Sequence, residues 1–176
     1  MAILTGNEIK KQYDLGNIFI SDFDEKRLGP NSYDITLHNE LLEYKKDKLY
    51  LDAKKDNETE TIVIPEDGYV LKPGVLYLGR TVERTETNGF APMIEGRSSM
   101  GRLGIAIHAT AGFGDNGFKG YWTLEIFVVE PVKIYPGMRI GQLYYHTLEG
   151  DQNIKYHGKY FDNEGIQGSR SFKDFM

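Results

Sequence analysis

Residues 95–125 read EGRSSMGRLGIAIHATAGFGDNGFKGYWTLE, and how this stretch pairs and turns decides the fold. Within it, Leu103 to Thr110 sets Leu103, Ile105, Ile107 and Ala109 on one side and Gly104, Ala106, His108 and Thr110 on the other. That is the period of a strand, not of a helix. The period returns in Tyr121 to Val129, where Trp122, Leu124, Ile126 and Val128 oppose Tyr121, Thr123, Glu125, Phe127 and Val129. Between the two runs, residues 111–120 place four glycines around Asp115, a turn whose backbone can come close to a flat ligand.

Outward from there, the period of two recurs in Asp34 to Tyr44, Thr61 to Ile64, Val75 to Thr81 and Arg139 to Leu148, with Gly, Pro and Asn between them. The exception is the start of the chain. Thr5-Gly6-Asn7-Glu8 is a capping box, followed by Ile9, Tyr13 and good helix formers up to a stop at Gly16. Many short strands and one N-terminal helix predict an all-β barrel or sandwich. Lys45 to Glu60, rich in lysine, aspartate and glutamate, reads as a solvated hairpin tip with no chemistry of its own. Gly158 to Met176 has glycines, charges and aromatics without a period, so it is either a disordered tail or an arm that orders over a ligand or a neighbouring subunit.

Composition narrows the classes. The 176 residues suit one domain, residues 1–176, and 40% hydrophobic with 27% charged residues supports a globular core. With no cysteine there is no disulfide, no thiolate nucleophile and no cysteine-held zinc. The four histidines, His38, His108, His146 and His157, show no H-x-x-x-H spacing. No apolar run approaches the length of a membrane helix, and Met1 to Leu15 lacks the pattern of a signal peptide, which predicts a cytoplasmic protein. A net charge of −5 without a basic cluster argues against nucleic-acid binding. A small anionic ligand needs only a few local cations.

Those cations stand in Arg97-Ser98-Ser99-Met100-Gly101-Arg102. Guanidinium forks, hydroxyls and glycine-flanked amides can close around phosphate or carboxylate oxygens, although the same residues also suit a surface turn. The segment is not a P-loop. Asp115 can accept from a sugar hydroxyl, hold a water or simply turn a hairpin. Glu125 carries the most information. Both faces of its strand are largely apolar, so the carboxylate is expected to be buried, and then either paired, for example with an arginine, or raised in pKa to serve as a proton shuttle.

EGRSSMGRLG, HATAG, and Asp115 followed by Glu125 in TLE resemble the dCTP deaminases of the trimeric dUTPase-like superfamily. LTGNEIKK, GPNSYDITL, YPGMRIGQL and the closing KY and GSR fall in family order, so the resemblance covers nearly the whole chain. It implies a dUTPase-like distorted β-barrel or jelly-roll assembled as a homotrimer, with 158–176 as a lid. It further implies hydrolytic deamination of dCTP at cytosine C4. Glu125 then resembles the general acid/base, supported by Ser98 and Arg102. Arg97, Ser98, Ser99, Met100, Gly101 and Arg102 resemble the nucleotide-gripping segment, and Asp115 the deoxyribose contact. Thr123 and Leu124 would read the pyrimidine by backbone, while Tyr156, Lys159 and Asn163 would close over the triphosphate. Mg²⁺ is expected to ride on the triphosphate, with no metal ligand in the protein and no zinc, and dTTP is implied as a feedback inhibitor.

His108 to Phe113 and Gln142 look more like the bifunctional members, which continue to dUMP and pyrophosphate, than like the dUTP-forming ones. The alternatives are a dUTP pyrophosphatase without deaminase activity and a non-catalytic nucleotide-binding protein. The chain departs from the family at Gly29 before Pro30, at Gly114 where a bulky aliphatic residue is usual, at Asn163 in place of glutamine, and in the short Tyr156–Lys159 spacing.

Overall fold

The computed structural model describes residues 2–47 and 49–176; Met1 and Lys48, the latter in the expected hairpin tip, lie outside the described residues. The chain is mostly β. Its strands form three sheets that do not close on themselves. Helix α1 (Gly6–Asp14) begins as the capping box requires, with the Thr5 hydroxyl accepting from the Glu8 amide, and Gly16 just beyond it takes a positive φ of 77°. Ile9 is the side chain α1 buries most completely.

Among the described residues eleven strands follow: β1 (Ile18–Ile20), β2 (Tyr33–Thr36), β3 (Glu40–Tyr44), β4 (Thr59–Val63), β5 (Tyr69–Leu71), β6 (Tyr77–Thr87), β7 (Phe90–Gly96), β8 (Ile105–Ala106), β9 (Lys119–Val128), β10 (Val132–Ile134) and β11 (Arg139–Thr147). The largest sheet runs β4-β3-β6-β9-β8, with β1 also paired to β6. A second sheet is β2-β11-β7, and a third pairs β10 with β5. A single-turn helix α2 (Ser98–Gly101) follows β7, where the sequence suggested a turn.

The expected single strand from Asp34 to Tyr44 is two strands. Around Leu37 the extended chain leaves one sheet for the other: the Leu37 amide donates to Met138 O at 3.0 Å and the His38 amide to Arg80 O at 2.9 Å. The expected strand Leu103–Thr110 shrinks to the two residues of β8, although one more bond, from the Glu125 amide to Ile107 O at 2.8 Å, extends the pairing. Beyond that point Ala109 to Gly112 offer little side chain to pack, and Ala109 and Thr110 are exposed. Leu103, expected on the core side, is exposed as well.

On β9 the alternation holds. Trp122, Leu124, Ile126 and Val128 join the core with Ile35, Leu41, Tyr77, Ile94, Ile107 and Leu143, and the opposite face looks into a cavity. Thus β9 is buried on one face, not two.

The last segment is ordered against the body of its own chain. The Gln167 amide donates to the Thr123 hydroxyl at 3.1 Å, the Ser169 amide to the Tyr44 hydroxyl at 2.8 Å, and the Ser171 hydroxyl to Ala53 O at 2.7 Å. No described helix is long and apolar enough to cross a membrane.

Candidate active site

The open face of β9 forms one wall of a cavity of about 400 Å³. Leu78 of β6 and Tyr44 of β3 continue that wall, Phe113 to Phe118 of the glycine-rich hairpin form a second, and the arm from Tyr156 to Ser169 forms the cover. Glu125 points into this space with 34% of its side chain exposed. The carboxylate, expected to be buried, is partly open, because the arm covers β9 without packing it shut.

The neighbour of Glu125 is a histidine, not an arginine. His108 Nδ1 lies 3.6 Å from Glu125 Oε2, and the imidazole is 8% exposed with neither ring nitrogen hydrogen-bonded. At that distance the contact is too long for a good hydrogen bond. The imidazole, helped by the Ala109 amide and opposed by partial burial, holds the Glu125 carboxyl below its ordinary value of 4.5. The free site is therefore poised as a base, not as a raised-pKa acid. A depressed native pKa stabilises the fold in full above the ordinary glutamate range, and this contribution is lost as the pH falls through the depressed value. Acid-unfolding curves of Glu125→Gln are accordingly expected to lose part of the wild-type slope below pH 4.5; curves of identical slope would remove the His108–Glu125 contact from the account.

Asp115 lines the hairpin wall, and its carbonyl accepts from the Phe118 amide at 3.1 Å to close the turn. Next to it, Asn116 accepts from the Gly89 amide through its side chain at 2.8 Å and from the Tyr156 amide through its carbonyl at 2.8 Å, which ties the hairpin to the arm. The Gly114 departure has a local reason: a Cβ there would lie 2.5 Å from the Trp122 ring, which already fills the space of an aliphatic side chain. Phe118 packs on Trp122 with centroids 4.6 Å apart, leaving an apolar floor beside Asp115.

Thr123 lines the cavity, while Leu124 is wholly buried and is not among the lining residues. Asn163 is buried and spends its amide on the chain itself, accepting from the Tyr121 amide at 3.3 Å and donating to Tyr160 O at 3.0 Å. Lys159 is paired with Asp174 and is not among the lining residues.

The Arg97–Arg102 segment stands elsewhere. None of its residues lines this cavity. Arg97 precedes α2 with its Nε 3.2 Å from Asp34, Ser98, Ser99, Gly101 and Arg102 are exposed, and Met100 is buried as an anchor in the core. Gln142 belongs to the same neighbourhood. It accepts from the Ser32 hydroxyl at 3.2 Å, and its strand register sets it between Asp34 of β2 and Glu95 of β7. One chain thus carries two surfaces: Glu125, Asp115, Thr123, Tyr156 and Asn163 around the cavity, and Arg97 to Arg102 with Gln142 apart from it. Arg102 does not touch the Glu125 carboxylate of its own chain; the side chain beside that carboxylate is His108.

Sequence reasoning passed over His108, Tyr44, Phe118 and Gln167 as cavity residues. For His108 a signal existed, since it shares the polar side of its run and pairing across to β9 brings it beside Glu125. Among the described residues no group of three or more His, Asp or Glu could hold a metal ion.

A family model described as dCTP deaminase-like matches residues 3–148. The chain is 57% identical over 173 residues to a protein of Clostridium beijerinckii named dCTP deaminase, dUMP-forming, covering 98% of each chain. It is 58% identical over 175 residues to a protein of the same name from Clostridium acetobutylicum, covering 99% of each. Among solved structures, the 2'-deoxycytidine 5'-triphosphate deaminase of Agrobacterium tumefaciens superposes with a TM-score of 0.63 at 19% identity, over 82% of this chain and 47% of that one. At that identity the likeness is one of fold.

Proposed function

This chain belongs to the dCTP deaminase-like family, and from that premise we propose that it converts dCTP to dUMP, ammonia and pyrophosphate. The observation that carries the reading is Glu125, held as a carboxylate on the open wall of a nucleotide-sized cavity with Asp115 on the adjoining wall. In the first step the Glu125 carboxylate takes a proton from water, and the water oxygen bonds to cytosine C4. The same proton then passes to the exocyclic nitrogen, the C4–N bond breaks and ammonia leaves, while the hydroxyl proton of the adduct moves to N3 to give the uracil ring. Neutral ammonia carries the proton away, so Glu125 ends as it began. In the second step a water attacks the α-phosphorus and pyrophosphate departs, with Asp115 accepting from the attacking water or from the deoxyribose hydroxyl.

The Arg97–Arg102 surface suits the anionic end of the nucleotide, but it lies apart from the cavity of its own chain. We therefore take the active site to be shared between copies of the chain in a homotrimer, with Ser98 and Arg102 of one copy supporting Glu125 of another. The chain acts as one domain, 1–176, with 158–176 as the lid that carries Lys159 and Asn163, and with Tyr156 just before it. Mg²⁺ enters on the triphosphate, because that ion binds phosphate oxygens and water and asks little of the protein. dTTP, sharing the sugar and triphosphate, is the expected feedback inhibitor. We expect the enzyme to act in the cytoplasm.

Ammonia release from dCTP in the presence of Mg²⁺ tests the reading. Stoichiometric release is expected; dUTP hydrolysis with dCTP left intact would make the protein a pyrophosphatase, and loss of neither nucleotide would make it a binding protein. Mixing inactive Glu125→Gln with inactive Arg102→Ala and exchanging subunits is expected to restore part of the activity. No recovery after confirmed exchange would place both residues in the same copy's site.

A further inference from the structure

Asp34 stands in the GPNSYDITL stretch, to which the sequence assigned no chemistry. On β2 its carboxylate is 17% exposed and is gripped from two sides: Arg97 Nε lies 3.2 Å from Oδ1, and Arg139 Nη1 lies 3.2 Å from Oδ2. The arginines come from different places, Arg97 from the end of β7 and Arg139 from the first residue of β11. Strand pairing fixes the meeting point, since Gln142 of β11 lies opposite Asp34 and Glu95 of β7 lies opposite Gln142. One carboxylate between two guanidiniums leaves a net positive charge. It also leaves most of the five donors on each arginine unspent, and both arginines remain partly open to solvent.

A flexible arginine loses rotamer entropy whenever it grips a ligand. Held beforehand by Asp34, Arg97 has already lost much of that freedom, and its unspent donors belong to a side chain that is still partly exposed. From this geometry we infer that Asp34 is a positioning residue that presents Arg97 and Arg139 as a two-arginine clamp for the triphosphate. The inference rests on the reading of the Arg97 segment as the nucleotide-gripping surface. It adds Arg139 as a second phosphate contact and Asp34 as the residue that holds both.

The sign of one substitution separates this role from simple proximity. If Asp34 were only a nearby negative charge, Asp34→Asn would strengthen triphosphate binding by relieving repulsion. As a positioning residue, its neutralisation weakens binding. The measurement is the KM for dCTP together with the inhibition constant of inorganic triphosphate, taken on the full-length enzyme at fixed ionic strength. Asp34→Asn is expected to raise both by about tenfold with kcat changed less than about twofold. In an Arg97→Gln background the added effect of Asp34→Asn should shrink, because the two act as a unit. Arg139→Gln, at a more exposed position, keeps the test alive if Asp34→Asn lowers the melting temperature, and it is expected to raise the triphosphate constant severalfold. Unchanged or tighter binding in Asp34→Asn, or an unchanged constant in Arg139→Gln, overturns the clamp while leaving the function standing. Unchanged binding in Arg97→Gln would instead overturn the reading of the gripping segment, and the clamp with it.

Discussion

Glu125→Gln is expected to lower ammonia release from dCTP by about a thousandfold while nucleotide affinity stays within a few-fold of wild type. Glutamine fills the same volume on the open face of β9 and can still contact a ligand, but it can neither take a proton from water nor return one to the leaving nitrogen. Stopped ammonia release alongside retained dCTP binding, measured by calorimetry, is the signature of a lost proton carrier. A variant that stops binding as well would mean that Glu125 acts by holding the nucleotide. In the wild type, the lowered carboxyl pKa keeps the base ionised at neutral pH. Deamination should therefore fall on the acid side as Glu125 becomes protonated, and the fall should begin below the range of an ordinary glutamate.

The second large effect concerns stability. Glu83 on β6 is 1% exposed, ion-paired with Arg27, and accepts from the Thr36 amide at 3.0 Å and the Thr36 hydroxyl at 2.7 Å. Arg27 in turn lies over the Tyr33 ring at 4.8 Å. Every partner of the carboxylate is satisfied, so cutting it away leaves a guanidinium, an amide and a hydroxyl without their acceptor. Glu83→Ala is expected to cost about 3–5 kcal/mol, read as a fall of roughly 10 °C in melting temperature for a chain of this size. Replacing Arg27 and Glu83 together by apolar residues should cost less than either single change, because no charge is then stranded and only the Thr36 amide and hydroxyl lose their acceptor. If the double replacement is as damaging as the sum of the singles, the pair is not acting as a unit.

Much of the fold could be read from alternation alone. β9 and β11 lie close to the runs that predicted them, and α1 starts at its capping box. The strands that escaped notice have physical reasons for doing so. β7 contains Pro92, which argues against a strand until β7 is seen to be the edge of its sheet. β1, β5 and β10 are three residues each, too short for a period to establish itself. The arm carried no period because side chains hold it: hydroxyls of Thr123, Tyr44 and Tyr160 accept its amides one at a time.

The candidate site was legible as chemistry and less so as geometry. Glu125 and Asp115 stand on adjoining walls because β9 and its hairpin are local in sequence. The separation of Arg102 from Glu125 could not be foreseen, since Arg102 caps α2 ahead of β8, whose register sets Ile105 opposite Val128 at the far end of β9. Nor does anything in the neighbourhood of Glu83 point to Arg27, 56 residues away.

The products formed from dCTP give the most direct test of the proposed activity. Purified protein incubated with dCTP and Mg²⁺, with the products resolved by chromatography over time, is predicted to yield dUMP, pyrophosphate and ammonia in equal amounts without free dUTP building up. Accumulation of dUTP as the end product would contradict it.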